Sequence, residues 1–282
     1  MGGMGAAVWG GFMDLKLHNK VALVAASSAG LGRACAESLV AEGAKVIITG
    51  RRPDVLARTA HDLRQMITPG FGDVHTISGD ITRPEDISRI IKAAIGKFGQ
   101  LDILVTNGGG PKAGRFADLT EDDWDQGLSS TLWPVIRLIR QCLVHLRDAK
   151  KRDGGRIINI VSTTVKQPID GLLLSNAIRP AVIGLAKTLS RELAPDSILI
   201  NNVCPGSFDT DRIAELYKIR AESSGKSLEE VAAEDAKRIP LARLGIPSEL
   251  GDLVAYLASP RSSYITGQTI NVDGGLVAGL FG

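Results

Sequence analysis

The sequence of 282 residues predicts an α/β fold: a three-layer, doubly wound parallel sheet of about seven strands. Three observations carry this. Short apolar, β-branched runs alternate along the chain with longer segments at helical spacing. The runs are almost continuously apolar, as strands covered on both faces are. Several of them stop abruptly at small or polar residues, the usual composition of loops at the carboxyl edge of such a sheet.

The elements follow in order. Val21–Ala25 is too short for a helix and reads as the first strand. Ser27-Ser28-Ala29-Gly30-Leu31-Gly32 is a turn of small residues. Leu31, Cys35, Leu39 and Val40 then recur at helical spacing, with Gly43 at the helix end. Lys45–Thr49 is the second strand, and Pro53–Met66 a helix with Val55, Leu56, Leu63 and Met66 as apolar positions. Asp73–Ser78 is the third strand. Thr82 is placed to cap the next helix, with Pro84 in its first turn and Ile87, Ile90, Ile91, Ala94 and Ile95 as its inner face. Leu101–Thr106 is the fourth strand. Thr120 with Asp123 caps a long helix over Glu121–Lys150, kinked at Pro134. Arg156–Val161 is the fifth strand, Leu172–Leu193 a helix containing Pro180, and Ser197–Cys204 the sixth strand. Thr210–Pro240 is polar and helical, broken at Ser223-Ser224-Gly225. Pro247–Ala258 is a helix and Thr269–Val272 the last strand.

Composition narrows the function. A net charge of +2 gives no electrostatic case for nucleic acid. No apolar run is long enough to cross a membrane. Cys35, Cys142 and Cys204 are scattered and show no metal or disulfide spacing, which suits a reducing, cytoplasmic setting. Residues 1–16 read as a tail, apolar and glycine-rich at its start and without a basic beginning, with Met13 as an alternative start. Residues 17–282 read as a single domain.

The Val21–Arg52 stretch is a strand, a glycine turn, a helix and a strand. A helix beginning at such a turn presents free N–H groups and a positive dipole end, which favours phosphate. The spacing is not G-x-G-x-x-G, so the turn alone is a weak signal. Arg51 and Arg52 follow the second strand, where a bound dinucleotide's adenosine ribose lies. Arginine there grips a 2′-phosphate, so NADP(H) is favoured over NAD(H).

These residues, with Gly79-Asp80, Asn107-Gly108-Gly109-Gly110, Ile158-Asn159-Ile160-Val161-Ser162, Val203-Cys204-Pro205-Gly206 and Ile265–Gly275, make the chain resemble the short-chain dehydrogenase/reductase family over Leu17–Val277. Its 3-oxoacyl-carrier-protein reductase-like members are the nearest in pattern. The resemblance implies a Rossmann fold and hydride transfer between nicotinamide and a carbonyl or alcohol carbon. It implies cofactor contacts from Ala26, Ser27, Ser28, Gly30, Leu31, Gly32, Asp80, Ile81, Asn107, Gly108, Gly109, Arg179, Pro205, Gly206 and Thr210. It also implies a substrate lid at about 207–240 and a homotetramer or dimer built on the two long helices and the C-terminal segment.

The catalytic positions depart from the family. The family's asparagine, serine, tyrosine and lysine fall here on Thr131, Ser162, Ser175 and Arg179. Serine is far less acidic than tyrosine, and arginine stays protonated, so it can supply charge but relay no proton. Two readings follow. One is an NADP(H)-dependent oxidoreductase with an altered acid/base, its proton coming from water, Lys166 or Tyr217. Lys112 and Arg115 are then candidates to hold an anionic substrate. The other is a dinucleotide-binding protein of little or no turnover, a sensor or partner subunit.

Overall fold

The structure, a computed structural model, describes residues 14–280. Seven strands form one parallel sheet: β1 (Val21–Val24), β2 (Lys45–Gly50), β3 (Asp73–Ser78), β4 (Ile103–Thr106), β5 (Arg156–Ile160), β6 (Leu199–Pro205) and β7 (Thr269–Val272). Their order is β3-β2-β1-β4-β5-β6-β7. The order reverses between β1 and β4, which opens a crevice at their carboxyl ends.

The helices are α1 (Gly30–Ala41), α2 (Pro53–Gln65), α3 (Pro84–Phe98), α4 (Glu121–Thr131), α5 (Trp133–Asp148), α6 (Leu173–Glu192), α7 (Asp211–Ser224), α8 (Leu228–Lys237) and α9 (Pro247–Ala258). Side chains alternate across a strand, so β1 feeds both faces of the sheet. Ala22 and Val24 pack with Leu39, Leu56 and Val254 of α1, α2 and α9. Val21 and Leu23 pack with Ile87, Leu138 and Ala186 of α3, α5 and α6. Helices thus cover both faces, and the anticipated three-layer Rossmann architecture is present.

Most anticipated elements appear within one or two residues of their expected ends. Thr120 and Asp123 form the capping box of α4. Gly225, in the left-handed conformation, ends α7. Pro180 lies inside α6. Three expectations are corrected. The helix expected over Glu121–Lys150 is two helices, broken at Leu132, because Pro134 offers no N–H in the first turn of α5. Thr82 does not cap α3: its amide and hydroxyl both donate to Asp80 Oδ1, and Arg83 takes the capping position without a side-chain bond. Met66 lies beyond the end of α2 and is exposed rather than inward. The expected tail lies outside the described residues over 1–13; Leu15 packs against the core, and the Asp14 carbonyl accepts from Arg261 Nε.

Candidate functional site

The turn after β1 is built from backbone and small side chains. Ala26 is left-handed, with φ +47°. An alanine there costs about 1–2 kcal/mol, so its partners must hold it. Its amide donates to Thr49 Oγ1 at 3.1 Å, and its carbonyl accepts from Asn107 Nδ2 at 3.1 Å. Ser27 is turned inward: its hydroxyl donates to Val24 O and accepts from Thr49 N. Thr59 Oγ1 donates to the Ser28 carbonyl. Gly30 is left-handed and opens α1, whose first turn carries no acidic residue. Gly32 lets the turn close. A Cβ there would sit 2.4 Å from the Ala26 carbonyl oxygen and 2.6 Å from Asn107 Nδ2. Thr49 and Thr59 are therefore parts of the turn that sequence reasoning missed; a single hydroxyl in a strand or helix carries no spacing signal.

Two clefts flank this turn. One, of about 340 Å³, is lined by Ala26, Ser28, Arg51, Asp80, Ile81 and Gly109. The other, of about 410 Å³, is lined by Gly30, Leu31, Arg52, Asn107, Gly108 and Thr210. Arg51 and Arg52 thus stand on opposite sides, both exposed. Pro205 and Gly206 line neither cleft; the Gly206 amide bonds Val272 O and joins the ends of β6 and β7.

The end of β5 lies farther along the same edge. Ser162 Oγ accepts from Thr164 N at 3.2 Å. Thr164 Oγ1 and Ser175 Oγ are 3.0 Å apart, both buried. One turn farther along α6, Arg179 Nη1 donates to Val161 O at 2.7 Å. Cys204, at the end of β6, meets Ser162 through the backbone and feels the charges of Lys166 and Arg179. Burial still pushes its thiol up to about 11. Thr131 and Arg179 line a common cavity of about 20 Å³, room for a single water. Thr131, only 7% exposed, has no partner for its hydroxyl oxygen among the described residues.

The structure therefore brings Thr131 and Arg179 together, and joins Ser162 to Ser175 through Thr164. It turns other candidates away. Lys112 Nζ is bound to both oxygens of Asp123 at 2.9 Å. Tyr217 is buried under α8, where burial and then the Asp235 carboxylate push its hydroxyl up to about 12. Arg115 is exposed beside Phe116. Among the described residues, no helix is long and apolar enough to cross a membrane.

A family model described as enoyl-(acyl carrier protein) reductase matches residues 25–277. The 3-oxoacyl-[acyl-carrier-protein] reductase of Vibrio cholerae is 34% identical over 263 residues, spanning 93% of this chain and 99% of that one. The solved structure of L-sorbose reductase from Gluconobacter frateurii, complexed with NADPH and L-sorbose, superposes with a TM-score of 0.89 at 28% identity. It covers 95% of this chain and all of the other. An actinorhodin polyketide ketoreductase variant with NADPH gives a TM-score of 0.84 at 32% identity, covering 93% and 98%.

Proposed function

Since this chain belongs to the short-chain dehydrogenase/reductase family, we propose that it is an NADP(H)-dependent oxidoreductase acting on a small carbonyl or alcohol substrate, 3-oxoacyl reductase-like in its overall design. The observation that carries the cofactor reading is the cradle around Ala26, Gly30 and Gly32 with Arg51 at its adenosine side. The cradle fits a dinucleotide: Gly30 and Leu31 offer amides at the start of α1 for the pyrophosphate, and Arg51 offers donors for a 2′-phosphate. Asp80 and Ile81 suit the adenine, Asn107, Gly108 and Gly109 the ribose, and Thr210 the nicotinamide end.

When bound, the dihydronicotinamide supplies a hydride to the carbonyl carbon. The rest falls to this chain's residues. Ser162 takes its hydrogen bond from Thr164 N, which leaves its own O–H to donate to the substrate oxygen. Arg179, one turn beyond Ser175, adds a fixed positive charge where negative charge develops on that oxygen. Ser175 is engaged by Thr164 and Tyr217 lies under α8, so the proton for the oxygen falls to water or to Lys166. Lys166 and Arg179 together favour a substrate that carries negative charge. The residues 207–240 serve as the lid, α4, α5, α6 and the C-terminal segment as the self-association face, and the cytoplasm as the setting; the three buried, unpaired cysteines suit a reducing compartment.

A second reading, a dinucleotide-binding protein of little turnover, is favoured by the inward engagement of Ser175. One pair of measurements separates them. NADPH should bind at least ten times more tightly than NADH in a fluorescence titration, and Arg51→Ala should cost NADPH roughly tenfold to a hundredfold while sparing NADH. Loss of NADPH absorbance with a keto acid, diketone or β-ketoacyl thioester then supports the enzyme. Tight NADPH binding without turnover across that panel supports the second reading.

A further inference from the structure

We propose that Thr164 is a positioning residue that sets both hydroxyls of the β5–α6 face, with its amide fixing Ser162 and its side chain clamping Ser175. The proposal rests on the reductase reading for its consequence in turnover, and on geometry alone for the clamp.

Thr164 sits in the short turn Thr163–Val165 directly after β5. It is 3% exposed, and Ser175 is 8% exposed, so the 3.0 Å hydroxyl pair is shielded from water. Such a pair has few substitutes. A buried hydroxyl that loses its partner cannot turn to solvent, so each member depends on the other. The backbone of the same residue donates to Ser162 Oγ at 3.2 Å. One residue thus touches the strand-end serine and the helix-borne serine at once.

The start of α6 shows why a clamp is needed. Its N-cap is Leu172, which has no side-chain oxygen to cap the first turn. The turn is held from outside instead. Asn176 exchanges two hydrogen bonds with Ile169, at 3.0 and 3.1 Å. The Leu173 amide reaches Gly114 O, and Gly114 bridges Leu172. The ties to Ile169 and Gly114 run to loop backbone, whereas the Thr164–Ser175 pair ties this first turn to a buried side chain in the turn that follows β5. Arg179 repeats the device one turn later, onto Val161 O. Ser162 and the charge of Arg179 are thus each tied by a hydrogen bond to residues 161–164 at the end of β5. Ser175 in this arrangement is a peg for Thr164 and not a proton donor.

The test uses the full chain with NADPH bound, in four variants: Thr164→Val, Ser175→Ala, the double variant, and Thr164→Ser. Both single variants break the same bond, so each should lower kcat by about fivefold to tenfold and leave the NADPH Kd and the substrate KM within twofold. The double variant should be no slower than either single one, and its loss in thermal midpoint should be smaller than the sum of the two separate losses. Thr164→Ser keeps the hydroxyl and should restore kcat. A Ser175→Ala variant that abolishes turnover while Thr164→Val is silent overturns the proposal, because Ser175 would then act on substrate itself. Additive losses in thermal midpoint also overturn it. If the wild type binds NADPH and turns over nothing, the reductase reading fails. The clamp is then judged by the midpoint cycle alone.

Discussion

The two halves of the carboxyl edge are held by different means. Around β1 and β4, the cradle depends on how closely backbone approaches backbone: the Ala26 carbonyl, Gly32 and the Asn107 amide leave no room for one more carbon. Around β5 and α6, side chains hold the site together: Thr164 to Ser175, and Arg179 to Val161 O. A site made of close backbone approaches tolerates little change in sequence. A site made of side-chain ties can exchange its partners while the strand and helix beneath stay in place. That contrast suits the sequence reading in which the family's asparagine, tyrosine and lysine fall on Thr131, Ser175 and Arg179.

The contrast breaks most readily at Gly32. Gly32→Ala places a methyl carbon against the Ala26 carbonyl, where overpacking of this kind typically costs about 1–3 kcal/mol. NADPH affinity should fall by at least roughly a hundredfold, read by fluorescence titration, because the turn itself must move. Binding within threefold of wild type would mean that the turn is not the cradle.

On the other half, Ser162→Ala removes a half-buried hydroxyl at the end of β5 and leaves the backbone intact. The expected effect is roughly a hundredfold in kcat, as for a donor aimed at developing negative charge, with NADPH binding unchanged. Steady-state rates beside a cofactor titration check both parts. An unchanged rate would take Ser162 out of the mechanism and leave the β5 end a purely structural corner.

What could be read from the chain follows the same division. Strand and helix positions were legible because periodicity and capping are local: Thr120 with Asp123, Gly225 after α7, and the apolar runs of β1 to β6. The break at Leu132 was half legible, since Pro134 announces a missing N–H but not whether the helix bends or stops. Thr82 misled because α3 begins one residue later than a Thr82 cap requires, and its hydroxyl donates to Asp80 rather than accepting a helix amide. Thr164 was invisible for a related reason. A hydroxyl's partner is chosen by the fold: Thr164 and Ser175 are eleven residues apart in sequence, a separation that carries no periodic signal. Lys112 looked free for a substrate anion until the fold brought Asp123 beside it.

The smallest effect sharpens the comparison most. Ala26 sits at φ +47°, a conformation that glycine adopts without cost, with both of its backbone groups bonded. Ala26→Gly removes the left-handed strain of about 1 kcal/mol, but returns part of it by loosening the unfolded chain. The net gain should be a rise of roughly 1–2 °C in thermal midpoint. NADPH binding should tighten by less than about threefold, because Thr49 and Asn107 already hold the turn in its final shape. A much larger gain in affinity would mean that the methyl group crowds the phosphate, and that the cradle as well as the β5–α6 face has drifted from its family's design.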